Sequence, residues 1–379
     1  MLRFVFVFCA VSYFLIHTAR ANESMYYGTH QQYISTRYAG MGNAGIAMAN
    51  DTSTLFYNPA GIPSLDDKEI NMYIRMGANP DILDFKKDID HAGKDAQAIA
   101  NTIKAHYGDE YSFRGPSLGF LWARPDWSFG IIATDPSVDI SLHEALGPAV
   151  HLYSIQDTTF AFAKGWNIHN IEFGRLDVGI TAKAIYRAQI DKIVDIASIQ
   201  ADNSIDDKVA KEGMTADADI GVLWHAPMMD GTWGFLRPSL GLVVRNILDQ
   251  GYFTDLKLIS KTDNGDPEKL HRMVDIGSAF NMPKFSVFTP KFAFDVRDIF
   301  NPNWTLNKGV HAGLEFNWEM TKNWKGGWRV GMDQMYWTAG FSGQLGWFRL
   351  DLASYGQEVG TASHKVEDRV YMFTTSLDF

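Results

Sequence analysis

The sequence predicts an all-β chain, an antiparallel β-barrel of about fourteen strands that crosses a membrane and carries a helical insertion. Three observations predict it. Apolar and polar residues alternate with period two in many separate segments. Those segments run to about 10–13 residues, whereas soluble strands are nearer 5–6 and a strand tilted by about 45° needs about 9–11 to cross a bilayer. Aromatic residues gather near segment ends, at Trp318, Trp324, Trp328, Tyr336, Trp337 and Trp347, where interfacial girdles sit. A large exported sheet with open edges is an aggregation hazard, and closing it removes the edges.

Composition sets the outer bounds. The chain has 379 residues, with 34 Lys+Arg against 44 Asp+Glu, a net charge of −10, 13% aromatics and 33 glycines. That balance excludes disordered, collagen-like and coiled-coil chains, and the acidic charge argues against a nucleic-acid partner. Cys9 is the only cysteine, so no intrachain disulfide, iron–sulfur cluster or thiolate zinc site can form. No cofactor is expected.

In chain order, the first element is a leader. Arg3, the apolar stretch from Phe4 to Ile16 and the small-x-small site Ala19-Arg20-Ala21 read as a signal peptide over residues 1–21. The stretch is too short to span roughly 30 Å of hydrocarbon. The mature chain then begins near Asn22 and contains no cysteine.

Gly40, Gly42 and Gly45 match the dinucleotide pattern G-x-G-x-x-G letter for letter. The real fingerprint needs a buried strand before it, a long helix opening on it and an acid about 20 residues on. Here a short polar Ser35-Thr-Arg-Tyr38 precedes it, and the turn cluster Asp51-Thr-Ser-Thr54 leaves no room for a long helix after it. Close glycines that let this segment pack tightly are the better reading.

Strands are expected at 68–77, 112–123, 126–134, 156–165, 173–189, 215–226, 233–245, 270–281, 287–298, 308–319, 326–336, 341–353 and 367–379. Single-chain bacterial barrels have an even number, so a fourteenth is expected at 252–260 or, next, at 137–143; twelve is the alternative. Val310, Ala312, Leu314, Phe316 and Trp318 should face outward, opposite His311, Gly313, Glu315 and Asn317. Parity then puts the loop near 354–366 outside the cell and a turn near 338–340 in the periplasm. With the missing strand at 252–260, residues 78–111 fall on the extracellular side. Residues 82–107 carry Ile82, Phe85, Ile89, Ile99 and Ile103 at helical spacing and read as one long or two short amphipathic helices. Residues 190–212 read as a second, shorter helical excursion. Both are too polar to face lipid.

Arg37 to Gly61, reading RYAGMGNAGIAMANDTSTLFYNPAG, closely resembles the N-terminal segment of the FadL-like outer-membrane superfamily, which spans hydrocarbon and fatty-acid transporters and PorV-like and TraF-like barrel proteins. Gly331 to Gly340 and Leu350 to Gly360 resemble its closing hairpins, and the terminal Phe379 resembles the aromatic signal read by the outer-membrane insertion machinery. The likeness is specific over 37–61 and 329–379. It implies a 14-stranded barrel over residues 67–379 and a hatch over residues 22–66, with the family's Asn-Pro-Ala motif on Asn58, Pro59 and Ala60. It also implies an address in the outer membrane of a Gram-negative bacterium, in contact with its lipid. The helical insert and closing hairpins look closer to the PorV- or TraF-like branch, so hatch and barrel are transferred and the substrate is not.

On these expectations Lys291, Asp295, Glu315, Arg329, Asp333, Arg349 and Asp351 face the lumen, where charges of both signs pair and hold a plug. Leu55, Phe56, Tyr57, Ile62 and Leu65 either line an apolar path beside the hatch or simply pack it. Passive uptake of hydrophobic small molecules, such as fatty acids or hydrocarbons, is the leading expectation. The alternative is a non-transporting barrel that binds an envelope or secretion-system protein through its helical insert. No H-E-x-x-H or G-x-S-x-G is present, and an enzyme is not expected.

Overall fold

The computed structural model describes residues 28–379 except 94, 145–147, 172–173, 196–209, 228–229, 254–256, 261 and 362–363. The expected signal peptide lies outside the described residues. The wall is one closed antiparallel barrel of fourteen strands in sequence order. Its first seven are β1 (Glu69–Ala78), β2 (Glu110–Arg124), β3 (Trp127–Glu144), β4 (Pro148–Ile171), β5 (Gly174–Asp195), β6 (Lys211–His225) and β7 (Pro238–Arg245). The rest are β8 (Met273–Asn281), β9 (Phe288–Ile299), β10 (Val310–Thr321), β11 (Trp324–Asp333), β12 (Tyr336–Leu345), β13 (Phe348–Glu358) and β14 (Glu367–Asp378). β1 pairs with β14 to close the ring, and Ile70 and Phe379 exchange both backbone bonds at 3.0 and 2.9 Å. The even count puts β1's start and β14's end at one mouth, here the terminal end; the other is the distal end.

The fourteenth strand is not where the sequence suggested. Residues 252, 253 and 257–260 form no strand, and 254–256 lie outside the described residues. The 341–353 segment instead holds two strands, β12 and β13, folded back at Gly346-Trp347 with Leu345 paired to Phe348. Leu-Gly-Trp-Phe is apolar throughout, so only Gly346, at φ +62°, marks the reversal. The expected turn at 338–340 is correspondingly inside β12, and the chain reverses at Gln334-Met335, both at positive φ. Residues 137–143 are the upper part of β3, and 190–195 and 211–212 extend β5 and β6 rather than forming a helix. The remainder of that excursion, 196–209, lies outside the described residues.

Each strand turns one face to the bore. On β10 His311, Gly313 and Glu315 are buried while Phe316 is exposed; on β14 Tyr371, Phe373 and Leu377 are exposed while Met372, Thr374 and Ser376 are buried. Pleating alternates side chains, so this pattern gives an apolar exterior around a polar bore. β3, β4 and β5 run to 18, 24 and 22 residues, well past a bilayer's requirement, and carry the wall beyond the apolar belt at the distal end. Aromatic positions split between the mouths. Trp318 and Trp324 pack edge-on at 5.7 Å and Trp347 meets Phe379 at 5.5 Å at the terminal end, while Tyr336 and Trp337 lie at the distal end. Trp328 sits mid-wall beside Phe341 rather than in a girdle.

The distal insertion is two helices. α3 (Ile82–Ala92) and α4 (Ala96–Ala105) are separated by Gly93 at φ +64°, and Asp95 caps α4 by accepting from Gln97 N at 2.8 Å. Here α1 and α2 denote the short helices Thr36–Ala39 and Thr54–Tyr57 that precede the wall. The apolar faces of α3 and α4 pack on Tyr111, Ile140, Leu142 and Val150. The neighbouring Ser112 and Asp139 face the bore, so the hairpin leans on the outer face of the extended wall.

Candidate functional site: the hatch and its seat

Residues 28–65 thread the bore from the distal side to the terminal mouth, and of these only Asn50 is exposed. Local chemistry explains the path. Asn58 leaves α2 in extended backbone, and its Oδ1 accepts from Ala60 N at 3.0 Å, capping a 3-10 turn over Pro59–Ser64. Pro59, without an N–H, costs nothing at that first turn. The Asn58 amide also donates to Ile46 O at 2.8 Å, tying the two halves of the hatch together.

The glycines of the refused dinucleotide pattern form the seat. Gly42, at φ +69°, lies directly against the carbonyls of Ala312 and Met332 on the wall. Its opposite numbers there are Gly313, beneath the Met41 carbonyl, and Gly331, whose added Cβ would lie 2.6 Å from Gly42 N. The Gly45 and Ile46 N–H groups point to a wall carboxylate and donate to Asp295 Oδ2 at 2.6 and 2.9 Å. Hydrogen bonds to charged groups contribute roughly 1.5–3 kcal/mol each.

A chain of ions continues this joint. Arg37 on α1 grips Glu315 on β10 through two bonds of 2.7 and 2.6 Å and reaches Asp51 at 2.6 Å. Glu315 also takes Arg329 at 2.8 Å, Arg329 lies 3.9 Å from Asp351, and Asp351 pairs with Arg349 at 2.7 Å. Asp333 contacts His311 at 2.9 Å, and the same ring nitrogen stands 3.0 Å from the Gly42 carbonyl. Six of the seven lumen residues thus meet a partner in the hatch or across the wall. Lys291 makes no ion pair or side-chain hydrogen bond among the described residues.

Of the five path residues, Leu55, Phe56 and Ile62 come together with Tyr73, Leu121 and Ile132 in one cluster. Tyr57 belongs to a second cluster, its ring 4.5 Å from Tyr38, and Leu65 borders a polar vestibule of about 480 Å³ at the terminal mouth. All five are buried.

Sequence reasoning missed Tyr33, Tyr73 and Arg75. Tyr33 stacks on Phe56 at 4.6 Å, and Arg75 lies over the Tyr33 ring at 5.1 Å while bridging to Asp135 at 2.8 Å. These residues back an irregular sector of wall. Register shifts occur between Arg75 and Gly77 on β1, between Arg114 and Gly119 on β2 and between Ile132 and Asp135 on β3. Gly115-Pro116 inside β2 was the available signal, because proline gives the ladder no donor. On the lipid-facing side the sector holds an apolar dent of about 410 Å³ between Met72, Ile74, Leu118, Phe120, Phe348 and Leu377. Its floor is the Tyr73 ring, which lies so close to Gly119 that a Cβ there would collide with it.

No family model and no curated protein matches the chain. Among solved structures, the CymD monoaromatic hydrocarbon channel is 11% identical, with 90% of this chain and 95% of that one covered and a TM-score of 0.47. The Ralstonia pickettii toluene transporter TbuX is 8% identical over 92% and 99%, at 0.47. The Pseudomonas putida toluene transporter TodX is 8% identical over 93% and 98%, at 0.44. Each match runs nearly the length of both chains, at low identity.

Proposed function

We propose that the chain lies in the outer membrane of a Gram-negative bacterium and admits hydrophobic small molecules, such as fatty acids or hydrocarbons, by passive uptake. One observation carries this reading: the ladder is interrupted in three adjoining strand pairs where the outer apolar dent and the hatch's Leu55–Phe56–Ile62 cluster are separated by Tyr73. Interrupted pairing lowers the cost of local opening. A solute leaving sideways there enters hydrocarbon, at a gain of about 25 cal/mol per Å² of apolar surface, and avoids the charged vestibule. The distal end faces the medium, which places α3 and α4 outside the cell and Phe379 on the periplasmic side, accessible to the insertion machinery.

The test is uptake into liposomes holding the purified protein, with alkanes and fatty acids compared against sugars. Faster entry of the apolar solutes alone supports the reading; no entry of any of them ends it. A docking role is favoured by one observation, the tight glycine joint that seals hatch to wall. Capture of an envelope protein by the intact barrel, lost when α3 and α4 are deleted, would support that second role.

A further inference from the structure

The strands differ in height, and the difference has a direction. β4 has 24 residues and β11 has ten. They stand seven places apart in the ring of fourteen, on opposite sides of the bore. At about 3.4 Å per residue and a tilt near 40°, β11 climbs about 23 Å, close to the roughly 25 Å apolar band of an outer-membrane barrel. Trp324 sets its foot in the terminal girdle, so its other end, at the Gln334-Met335 reversal, reaches only the distal edge of that band. Residues 300–309, joining β9 to β10, adjoin the reversal on the same low side.

These two turns are chemically unlike the distal helices. No charged residue lies between Asp298 and Lys308 or between Asp333 and Arg349, and Asp298, Asp333 and Lys308 are themselves buried. Residues 82–107, by contrast, show Asp84, Lys86, Lys87 and Asp90 to solvent. What the low side exposes is Phe300, Leu306, Met335 and Trp337, by 48% to 78%. Phe300 and Met335 have φ of +81° and +75°, a left-handed backbone that favours glycine, so turn geometry does not explain their bulk. Directly below, the outward faces of β10 and β11 continue apolar through the cross-strand pairs Leu314–Val330 and Phe316–Trp328. Arg369 donates to the Trp337 carbonyl at 3.0 Å and pairs with Glu367, which puts an arginine beside an aromatic at the level where headgroups begin.

We propose that these two turns are seated in the outer leaflet, with Phe300, Leu306, Met335 and Trp337 among the lipids. The distal mouth then has a low lip flush with the lipid and, opposite it, the tall wall of β3 to β5. Continuity with the lipid-facing belt identifies the partner as lipid. The lack of charge identifies the contact as burial of apolar surface against acyl chains, indifferent to headgroup charge and to salt. The inference rests on the outer-membrane reading and adds to it a lipid contact on the distal rim; it does not require that any solute pass.

The chain's only cysteine, Cys9, falls in the expected signal peptide, so single cysteines can be spin-labelled in the barrel reconstituted in bilayers. Leu306→Cys and Met335→Cys are compared with Val330→Cys in the belt and Asp90→Cys on α3. The readout is line broadening by oxygen, which partitions into lipid, and by a neutral nickel chelate, which stays in water. Both turn sites should match Val330→Cys, with strong oxygen broadening and loss of nickel broadening, in zwitterionic and anionic lipid alike. Asp90→Cys should show the reverse. Nickel broadening at the turn sites while Val330→Cys stays dry overturns the inference and leaves the outer-membrane reading standing. Shielding of the turn sites from both agents also overturns it, since a protein, a second copy included, would then cover them. Nickel broadening at Val330→Cys as well ends both readings. On the unmodified chain in nanodiscs, hydroxyl radicals should spare Phe300 and Met335 and modify Leu83. Equal modification of all three overturns the inference without recourse to any variant.

Discussion

Gly40 of the hatch and Gly340 of β12 face one another with no side chain between them. A Cβ on either would lie 2.7 or 2.8 Å from the other's Cα. Neither residue has a positive φ, so proximity alone demands glycine here. Overpacking such a contact costs about 1–3 kcal/mol. Gly340→Val should therefore push the hatch off its seat, lowering the temperature at which the folded gel band converts and raising ion conductance in planar bilayers. A variant that melts and conducts like the parent would show that the joint is slack.

Glu315 holds two arginines, Arg37 and Arg329, and is fully buried. Breaking a buried pair from one side costs roughly 3–5 kcal/mol, because the remaining charge is left uncompensated. Glu315→Gln should destabilise the barrel by that order and expose the hatch to protease from the terminal mouth. Adding Arg37→Met should recover part of the loss. If the double variant is worse by the sum of the singles, the two side chains do not act as a pair.

Tyr73 separates the dent from the hatch cluster, and its hydroxyl is buried without a partner among the described residues. Tyr73→Phe keeps the ring and removes an unsatisfied group, so it should be neutral or stabilising by up to about 1–3 kcal/mol. Tyr73→Ala should speed alkane uptake. Equal uptake by parent, Phe and Ala variants would move the route away from this sector.

His106 ties the distal helices to the wall. Its Nδ1 stands 2.9 Å from Asp109 and its Nε2 3.1 Å from Asp88, with the Tyr111 hydroxyl 3.0 Å away. The hydrogen bond to Asp109 is the largest effect; together with the bond to Asp88 and the charges of both carboxylates it raises the imidazole above its usual value, against the opposing effect of burial. A raised histidine stabilises the fold fully below its unfolded pKa, about 6.5, and the contribution is lost as pH climbs through the raised value. Amide exchange over residues 82–107 should therefore be slowest in mild acid and quicken above neutrality, after correction for intrinsic rates. In His106→Gln that pH dependence should vanish; its persistence would assign the effect to another group.

Legibility in the sequence tracked the environment of each strand. Where one face meets lipid and the other the bore, as at Leu314 and Glu315, alternation is strong and the facing was readable. β4 shows the failure. Outward Phe160 and Phe162 marked its lower half, but above them Thr158, Gln156 and Ser154 also face outward with no lipid to meet, and alternation fades. The hatch's fixed points were visible as glycines and Asn58-Pro59, yet their partners are wall residues more than a hundred positions away, such as Asp295 and Gly340. The order in which Arg37, Glu315, Arg329 and Asp351 connect depends on barrel register, which period-two patterning leaves open.

Leu65, where the hatch ends, and Phe379, where the chain ends, open onto the same vestibule. The seam stitched by Ile70 and Phe379 is thus the anchorage for the short tether at residues 66–68. Traction on that tether from the terminal side is borne first by the closing stitch of the ring, so a mechanical load meant to draw out the hatch would strain barrel closure as well.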